Sequence, residues 1–316
     1  MAQKASSRIR VSVVVSVVDI ASQVEGLVQS IVSAFGPLKT PFEMVFVDDG
    51  SRDATFRTLS DLARSEKRLR LIRLRTTFGE AAALDAGFRA SRGGVIVYLS
   101  GRVRVSAAGL PGLVRRLERN ADFVSGRRTP RRDSRLNQWI SWGFNRLASR
   151  ITGVRLHDVN SGVFAARRSV LETVPVYGDM VNFIPVLAAQ QGYRTVEEPV
   201  EQLAGTFRQS KYPKEYVQRL LDILTVFFLT RYSRKPIHFM GFVGAGFAAV
   251  GLIIELYLFV YRILGFGAIA GRPLLILGAL LLVIGIQMVS IGLIGEMIIF
   301  THADDIEPYN IEETLN

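Results

Sequence analysis

Short apolar runs alternate with amphipathic segments along the first 100 residues. Continuous apolar stretches bounded by polar turns are typical of strands buried on both faces. Four such strands are predicted, over Val11–Val18, Phe42–Val47, Leu69–Leu74 and Val95–Leu99. Between them, helical spacing of apolar residues predicts helices over Ser22–Phe35, Asp53–Ser65 and Glu80–Ser91. This alternation predicts an α/β fold with a mostly parallel sheet covered by helices on both faces.

Two much longer apolar runs follow near the C-terminus, Ile237–Ile263 and Pro273–Phe300. Each exceeds the roughly 20 residues that a helix needs to cross a bilayer. Three basic side chains stand just before the first run, at Arg231, Arg234 and Lys235. The positive-inside rule places this end in the cytoplasm. The sequence therefore predicts a multi-pass protein of the inner (plasma) membrane, with the N-terminal domain and the C-terminus both cytoplasmic.

Glycines recur every seven residues in the second run, at Gly278, Gly285 and Gly292. Such a stripe lies on one helix face and permits close helix packing. The stripe could serve the hairpin itself or an oligomer, and the pattern leaves both open.

The composition excludes several classes of protein. The 316 residues contain no cysteine, so disulfide scaffolds, Cys-zinc sites and thiol catalysis are ruled out. Only three histidines are present, which argues against a His-based metal cluster. A hydrophobic content of 49% argues against a fully soluble or a disordered chain. The net charge is +11 although the last 16 residues are acidic, so the chain before the spans is strongly basic and favours anionic partners.

A basic, aromatic-rich stretch begins after residue 126. Its arginines, Arg127, Arg128, Arg131, Arg132 and Arg135, lead into tryptophans and aliphatic residues at helical spacing. Together with Tyr216–Phe228, this predicts two amphipathic helices at the membrane surface. Such arginines also occur in nucleic-acid binding proteins, but the nearby spans favour lipid phosphate and anionic headgroups, and no nucleic-acid partner is expected.

Several motifs place these features in one family. The second predicted strand ends in Asp48-Asp49-Gly50-Ser51. Further along come Phe78-Gly79, Asp158-Val159-Asn160-Ser161-Gly162, Phe183-Ile184-Pro185, Ser210-Lys211-Tyr212 and Gly292-Leu293-Ile294-Gly295-Glu296. In this order, the motifs resemble those of family 2 glycosyltransferases that act on polyprenyl phosphates, over nearly the whole chain.

The resemblance implies a GT-A (Rossmann-like) domain, two interfacial amphipathic helices and two transmembrane helices. The expected parts are a nucleotide-sugar half over 1–126, an acceptor half over 127–236, a hairpin over 237–300 and a cytoplasmic tail over 301–316. Family members move a sugar from a nucleotide donor onto a lipid phosphate with inversion. They hold Mg²⁺ or Mn²⁺ through an Asp-x-Asp after the fourth strand.

This chain departs from that pattern, because it reads Ser100-Gly101-Arg102 where the family has Asp-x-Asp. No metal ligand is therefore expected. Mg²⁺ or Mn²⁺ is expected as a cofactor only if the chain is an active transferase. By the resemblance, the donor-binding residues are Asp48, Asp49, Ser100 and Arg102. The residues expected to bind the acceptor phosphate are Arg127, Arg128, Arg131 and Lys211, and the candidate catalytic residue is Asp158.

Structural roles compete with these assignments, since Asp and Ser also favour strand-end turns and helix caps. Three functions follow. The chain is an active polyprenyl-phosphate glycosyltransferase with an unusual site, a catalytically silent relative that binds lipid phosphate or a membrane protein, or a membrane-attached binder of an anionic ligand. Self-association is a further expectation.

Overall fold

The computed structural model describes residues 10–38, 40–101, 105–130, 146, 156–158, 161–174, 181, 183–203, 236–269 and 272–301. The chain divides into two compact units, Met1–Val226 and Phe227–Asn316.

The first unit is built on a seven-stranded sheet. Its strands are β1 (Val11–Val17), β2 (Phe42–Asp48), β3 (Leu69–Arg73), β4 (Val95–Ser100), β5 (Phe123–Arg128), β6 (Val163–Arg167) and β7 (Thr195–Val200). The spatial order is β3-β2-β1-β4-β6-β5-β7. β3, β2, β1 and β4 are mutually parallel, β6 runs antiparallel to both of its neighbours, and β5 pairs parallel with β7. The predicted α/β fold with a mostly parallel sheet is confirmed.

Six helices accompany these strands among the described residues of the first unit. They are α1 (Ala21–Phe35), α2 (Thr55–Ser65), α3 (Glu80–Ala90), α4 (Leu110–Asn120), α5 (Arg168–Thr173) and α6 (Ile184–Gln190). The predicted helices agree with α1, α2 and α3 to within two residues at each end.

The sheet separates two apolar clusters. All seven residues of β1 are buried, because alternate side chains enter the core on opposite faces. Val13 packs in the cluster that contains α1 and α4, whereas Val14 packs in the cluster that contains α3. The polar residues of β1 are satisfied: Ser12 donates to Glu43 at 2.7 Å, and Ser16 shares a 2.8 Å hydrogen bond with Tyr98. A strand without a solvent face explains the unbroken apolar run in the sequence.

The structure corrects one sequence interpretation. Arg127 and Arg128, which the sequence placed in the basic stretch that leads into an amphipathic helix, are the last two residues of β5. They follow Phe123 and Val124, which are buried in the sheet, and they pair with Pro199 and Val200 of β7, so the start of the basic stretch belongs to the sheet. Most of the remaining basic stretch and all of Tyr216–Phe228 lie outside the described residues.

The second unit contains α7 (Pro236–Ile263) and α8 (Pro273–Thr301), both long and apolar enough to cross a membrane. Their contact explains the glycine stripe. A Cβ atom at Gly285 would lie 2.5 Å from the carbonyl oxygen of Gly244, and one at Gly251 would lie 2.7 Å from that of Gly278. Glycine is therefore needed for the two backbones to approach this closely. The stripe serves the hairpin itself.

Candidate functional site

The four parallel strands end at a common edge of the sheet. Val17 of β1 is aligned with Asp48 of β2, which is aligned with Arg73 of β3, and Ser16 is aligned with Ser100 of β4. Loops that follow these strands therefore meet, as expected for the carboxyl edge of an open α/β sheet, where ligands bind.

Asp48 is fully buried at this edge. One carboxylate oxygen, Oδ1, accepts a hydrogen bond from the backbone N–H of Ser51 at 3.0 Å. The other, Oδ2, lies 3.5 Å from Nε of Arg73 and has no hydrogen-bond partner. The Arg73 side chain is 51% exposed and its guanidinium also lies over the Phe56 ring at 4.3 Å. Asp48 thus links the turn after β2 to the end of β3, and sequence analysis missed Arg73 as its partner.

Asp49 holds the loop that follows β3. Its two oxygens accept backbone hydrogen bonds from Phe78 at 2.8 Å and Gly79 at 3.0 Å. Gly79 has a positive φ of 97°, a conformation that glycine adopts without strain. Both oxygens are therefore engaged by the protein, and any contact of Asp49 with a nucleotide would add to this arrangement.

The first loop is joined to the second in the same way. Asp19, which has a positive φ of 50°, accepts the N–H of Arg52 at 2.8 Å and donates its own N–H to Ser51 Oγ at 3.1 Å. Asp53 accepts N–H groups of Ala21 at 3.0 Å and of Thr55 at 2.9 Å. Burial acts to raise the pKa of Asp53, but these hydrogen bonds prevail and the pKa is lowered. The loops after β1, β2 and β3 form one hydrogen-bonded platform.

Ser100 lies at the centre of this edge. Its side chain is fully buried, its Oγ has no hydrogen-bond partner, and its N–H donates to the Gly162 carbonyl at 2.9 Å. A divalent cation prefers several carboxylate oxygens, and a neutral hydroxyl is a poor substitute. Across the described ranges, no three His, Asp or Glu side chains are grouped to hold a metal ion. The residues seen at this position do not fit Mg²⁺ or Mn²⁺. Arg102 lies outside the described residues.

Asp158 and Arg128, the last residue of β5, form a bidentate ion pair. Arg128 Nε donates to Oδ2 of Asp158 at 2.7 Å, and its Nη2 donates to Oδ1 at 2.8 Å. The backbone N–H of Arg128 also donates to Oδ2 at 3.2 Å. The Arg128 side chain is only 11% exposed and the Asp158 side chain only 2%. In this state the catalytic candidate and one acceptor-phosphate candidate neutralise each other.

Glu197 of β7 supports that pair, and sequence analysis missed it. Its Oε1 accepts the N–H groups of His157 at 2.7 Å and Asp158 at 3.0 Å, and its Oε2 lies 2.7 Å from Nδ1 of His157. The carboxylate is 12% exposed and fixes the backbone that carries Asp158. The sequence signal was weak, because Glu197 is one of two adjacent glutamates in a strand of mixed polarity, Thr195–Val200.

The other acceptor-phosphate candidates differ in position. Arg127 is partly buried and makes no ion pair with any described residue, so its charge is available to an anion. Arg131 and Lys211 lie outside the described residues, as does Asp179.

Comparisons with known proteins agree with this architecture. Residues 12–174 match the glycosyl transferase family 2 model. The chain is 34% identical to the dodecaprenyl-phosphate galacturonate synthase of Rhizobium johnstonii, over 95% of this chain and 91% of that protein. It is also 34% identical to an undecaprenyl-phosphate 4-deoxy-4-formamido-L-arabinose transferase of Pseudomonas paraeruginosa, over 90% and 84%.

Among solved structures, the chain is similar to glucosyl-3-phosphoglycerate synthase from Mycobacterium tuberculosis in complex with Mn²⁺ and uridine-diphosphate-glucose. The TM-score is 0.54 at 18% identity, covering 69% of this chain and 78% of that one. At that identity the likeness concerns the fold alone.

Proposed function

The chain belongs to glycosyltransferase family 2, as its motifs predicted, and we propose that it transfers a sugar from a nucleotide donor to a polyprenyl phosphate at the membrane. One observation carries the proposal. A relative named for sugar transfer to a polyprenyl phosphate matches at 34% identity over 95% of the chain, which leaves too few residues outside the match to omit either membrane-length helix.

The reaction is a displacement at the anomeric carbon. An ionised phosphate oxygen of the acceptor forms the new C–O bond, and the bond to the nucleoside diphosphate breaks with its electron pair leaving on the diphosphate. The nucleophile already carries negative charge, so no strong base is required. The protein must place two anionic groups close together and stabilise the charge that develops on the leaving group.

On the donor side, the proposal assigns the nucleotide sugar to the platform above Asp48, Asp49 and Ser100. The meeting of the loops after β1, β2 and β3 at the carboxyl edge supports this assignment, because ligands of open α/β sheets bind at that edge. Arg102, two residues further on, is proposed to offset diphosphate charge where relatives in the family use a cation. A guanidinium can bind phosphate oxygens bidentately.

On the acceptor side, the proposal assigns the lipid phosphate to Arg127, Arg131 and Lys211. The unpaired charge of Arg127 supports this assignment. Arg128 is proposed to act through Asp158: the buried pair shapes the pocket, and Asp158 takes part as a base only if the pair opens. Orientation with both termini in the cytoplasm is likewise proposed, from the basic residues before α7.

The test is a transfer assay with the full-length chain in mild detergent, a panel of labelled UDP-sugars and undecaprenyl phosphate, with Mg²⁺, Mn²⁺ or a chelator. We expect labelled sugar in the organic phase. Arg127→Gln should lower the yield mainly by raising the KM for lipid phosphate. Arg115→Gln, an exposed arginine on α4, is the matched control and should leave the rate unchanged. No transfer with any donor, and no donor binding by calorimetry, would refute the proposal.

A catalytically silent role is the second candidate, favoured by the absence of an Asp-x-Asp at Ser100-Gly101-Arg102. It predicts retention of lipid phosphate or a membrane-protein partner without turnover. The double variant Ser100→Asp, Arg102→Asp discriminates between the two. Restored Mn²⁺-dependent transfer in an otherwise inactive chain would favour the silent relative, whereas loss of existing activity would favour an arginine-dependent transferase. A binder of an anionic ligand remains the third proposal, and it predicts vesicle binding without any donor binding.

A further inference from the structure

The outward face of α8 carries an amide group at the middle of a membrane-length helix. Gln287 is exposed and lies 14 residues from each end of the 29-residue helix. At 1.5 Å per residue it is about 21 Å from either end, near the centre of a bilayer that the helix spans. No described residue accepts or donates a hydrogen bond to its side chain. A free amide in hydrocarbon is costly, so this position needs a partner.

Gln287 also points away from the rest of the hairpin. At 100° per residue, it lies on the helix face opposite the glycines that contact α7. The exposed residues on its own face recur at alternating steps of four and three. They are Ile276, Leu280, Val283, Gln287, Ser290, Ile294 and Met297. This spacing is the seam of a left-handed helix pair, with Gln287 at an a position.

We propose that this seam pairs α8 with α8 of a second copy of the chain. Both copies insert with the same orientation, so each Gln287 lies at the same depth and a twofold axis along the membrane normal brings the two amides together. A primary amide has both a donor and an acceptor and is therefore complementary to itself. Apolar packing gives little preference over lipid, whereas an interhelical hydrogen bond does, and it also fixes the register.

The equivalent face of α7 offers a contrast. Its exposed residues Phe242, Ile253, Leu256 and Val260 are apolar. The exposed Tyr257 on the same face lies six residues from the end of α7, where its hydroxyl can reach the membrane–water interface, whereas Gln287 lies at mid-helix. The inference is thus specific to α8, and it is independent of whether the chain is an active transferase.

The absence of cysteine allows single-cysteine cross-linking of the full-length chain in native membranes. Val283→Cys lies on the seam and should give an oxidised product of twice the 35.0 kDa monomer mass. Ile253→Cys, equally lipid-facing on α7, is the matched control and should not cross-link. Adding Gln287→Leu to Val283→Cys should weaken self-association by about 5- to 30-fold, while Gln287→Asn should retain it.

Three results would overturn the proposal. The first is equal cross-linking with glutamine or leucine at position 287. The second is equal cross-linking from Ile253→Cys. The third is a Val283→Cys product whose mass shows a different membrane protein in place of a second copy. As a control, Gln287→Leu should leave expression and helical circular dichroism unchanged, because this side chain lies on the face of α8 opposite α7. That result would show that the hairpin itself is intact.

Discussion

Removing one member of the Asp158–Arg128 pair should destabilise the first unit strongly. In Arg128→Met the methionine preserves most of the apolar length of the side chain, but the carboxylate of Asp158, which is 2% exposed, loses the two guanidinium hydrogen bonds and the positive charge that pair with it. Breaking a buried ion pair from one side costs about 3–5 kcal/mol, because the remaining charge is left without compensation in a low-dielectric site.

The same reasoning predicts that the double replacement is much milder. In Arg128→Met, Asp158→Leu neither member of the pair leaves its charge behind without the other, so the cost should fall to about 1 kcal/mol or less. For a unit of this size, about 1 kcal/mol moves the melting temperature by roughly 2–4 °C, so the single variant should melt about 6–20 °C lower. The coupling between Arg128 and Asp158 is the difference between the stability lost by the double variant and the sum of the losses of the two single variants.

The assay is thermal unfolding of the full-length chain in mild detergent, followed by near-ultraviolet circular dichroism, for both single variants and the double variant. Arg115→Gln, an exposed change on α4, serves as the control and should leave the melting temperature unchanged. If either single variant melts within 2 °C of the parent, or if the double variant loses as much as the two singles combined, the pair is not the buried, closed interaction described above.

Four further outcomes follow from the structure. Asp49→Asn removes one of two acceptors for the loop after β3, so the freed backbone amide should exchange hydrogen faster, by about 10-fold or more in a hydrogen-exchange experiment. Burial acts to raise the pKa of Glu43, but hydrogen bonds from Ser12 and Arg92 and the Arg92 charge lower it overall. Stability from this group should be complete above pH 4.5 and decline as the pH falls further, and Glu43→Gln should flatten that part of the pH–melting profile. Gly285→Val should disrupt the hairpin, measured as loss of helix protection in membranes, since its new atoms meet backbone 2.5 Å away. Glu197→Ala should lower kcat for transfer more than it changes KM, and Glu197→Gln should restore part of kcat. Equal losses of melting temperature in both variants, with kcat unchanged, would show that Glu197 has a purely structural role.

The linear pattern determined the central part of the fold. Strands buried on both faces need continuous apolar residues, and parallel strands covered by helices provide that environment, so β1, β2 and β4 were predicted within one residue at each end. The two membrane-length helices were equally clear, because their signal depends on length and composition alone.

Tertiary structure decided what the polar residues do. Arg127 and Arg128 open a basic stretch that the sequence connects with an amphipathic helix, yet pairing with β7 makes them the end of a strand. Asp158 and Glu197 are 39 positions apart in the chain and meet only because β7 lies beside β5. Whether a carboxylate is available to a ligand depends on such distant partners, and local sequence cannot specify them. Likewise, the glycine repeat showed that close packing was needed, but only the placement of α7 showed that the glycines face the hairpin and leave Gln287 on the opposite side.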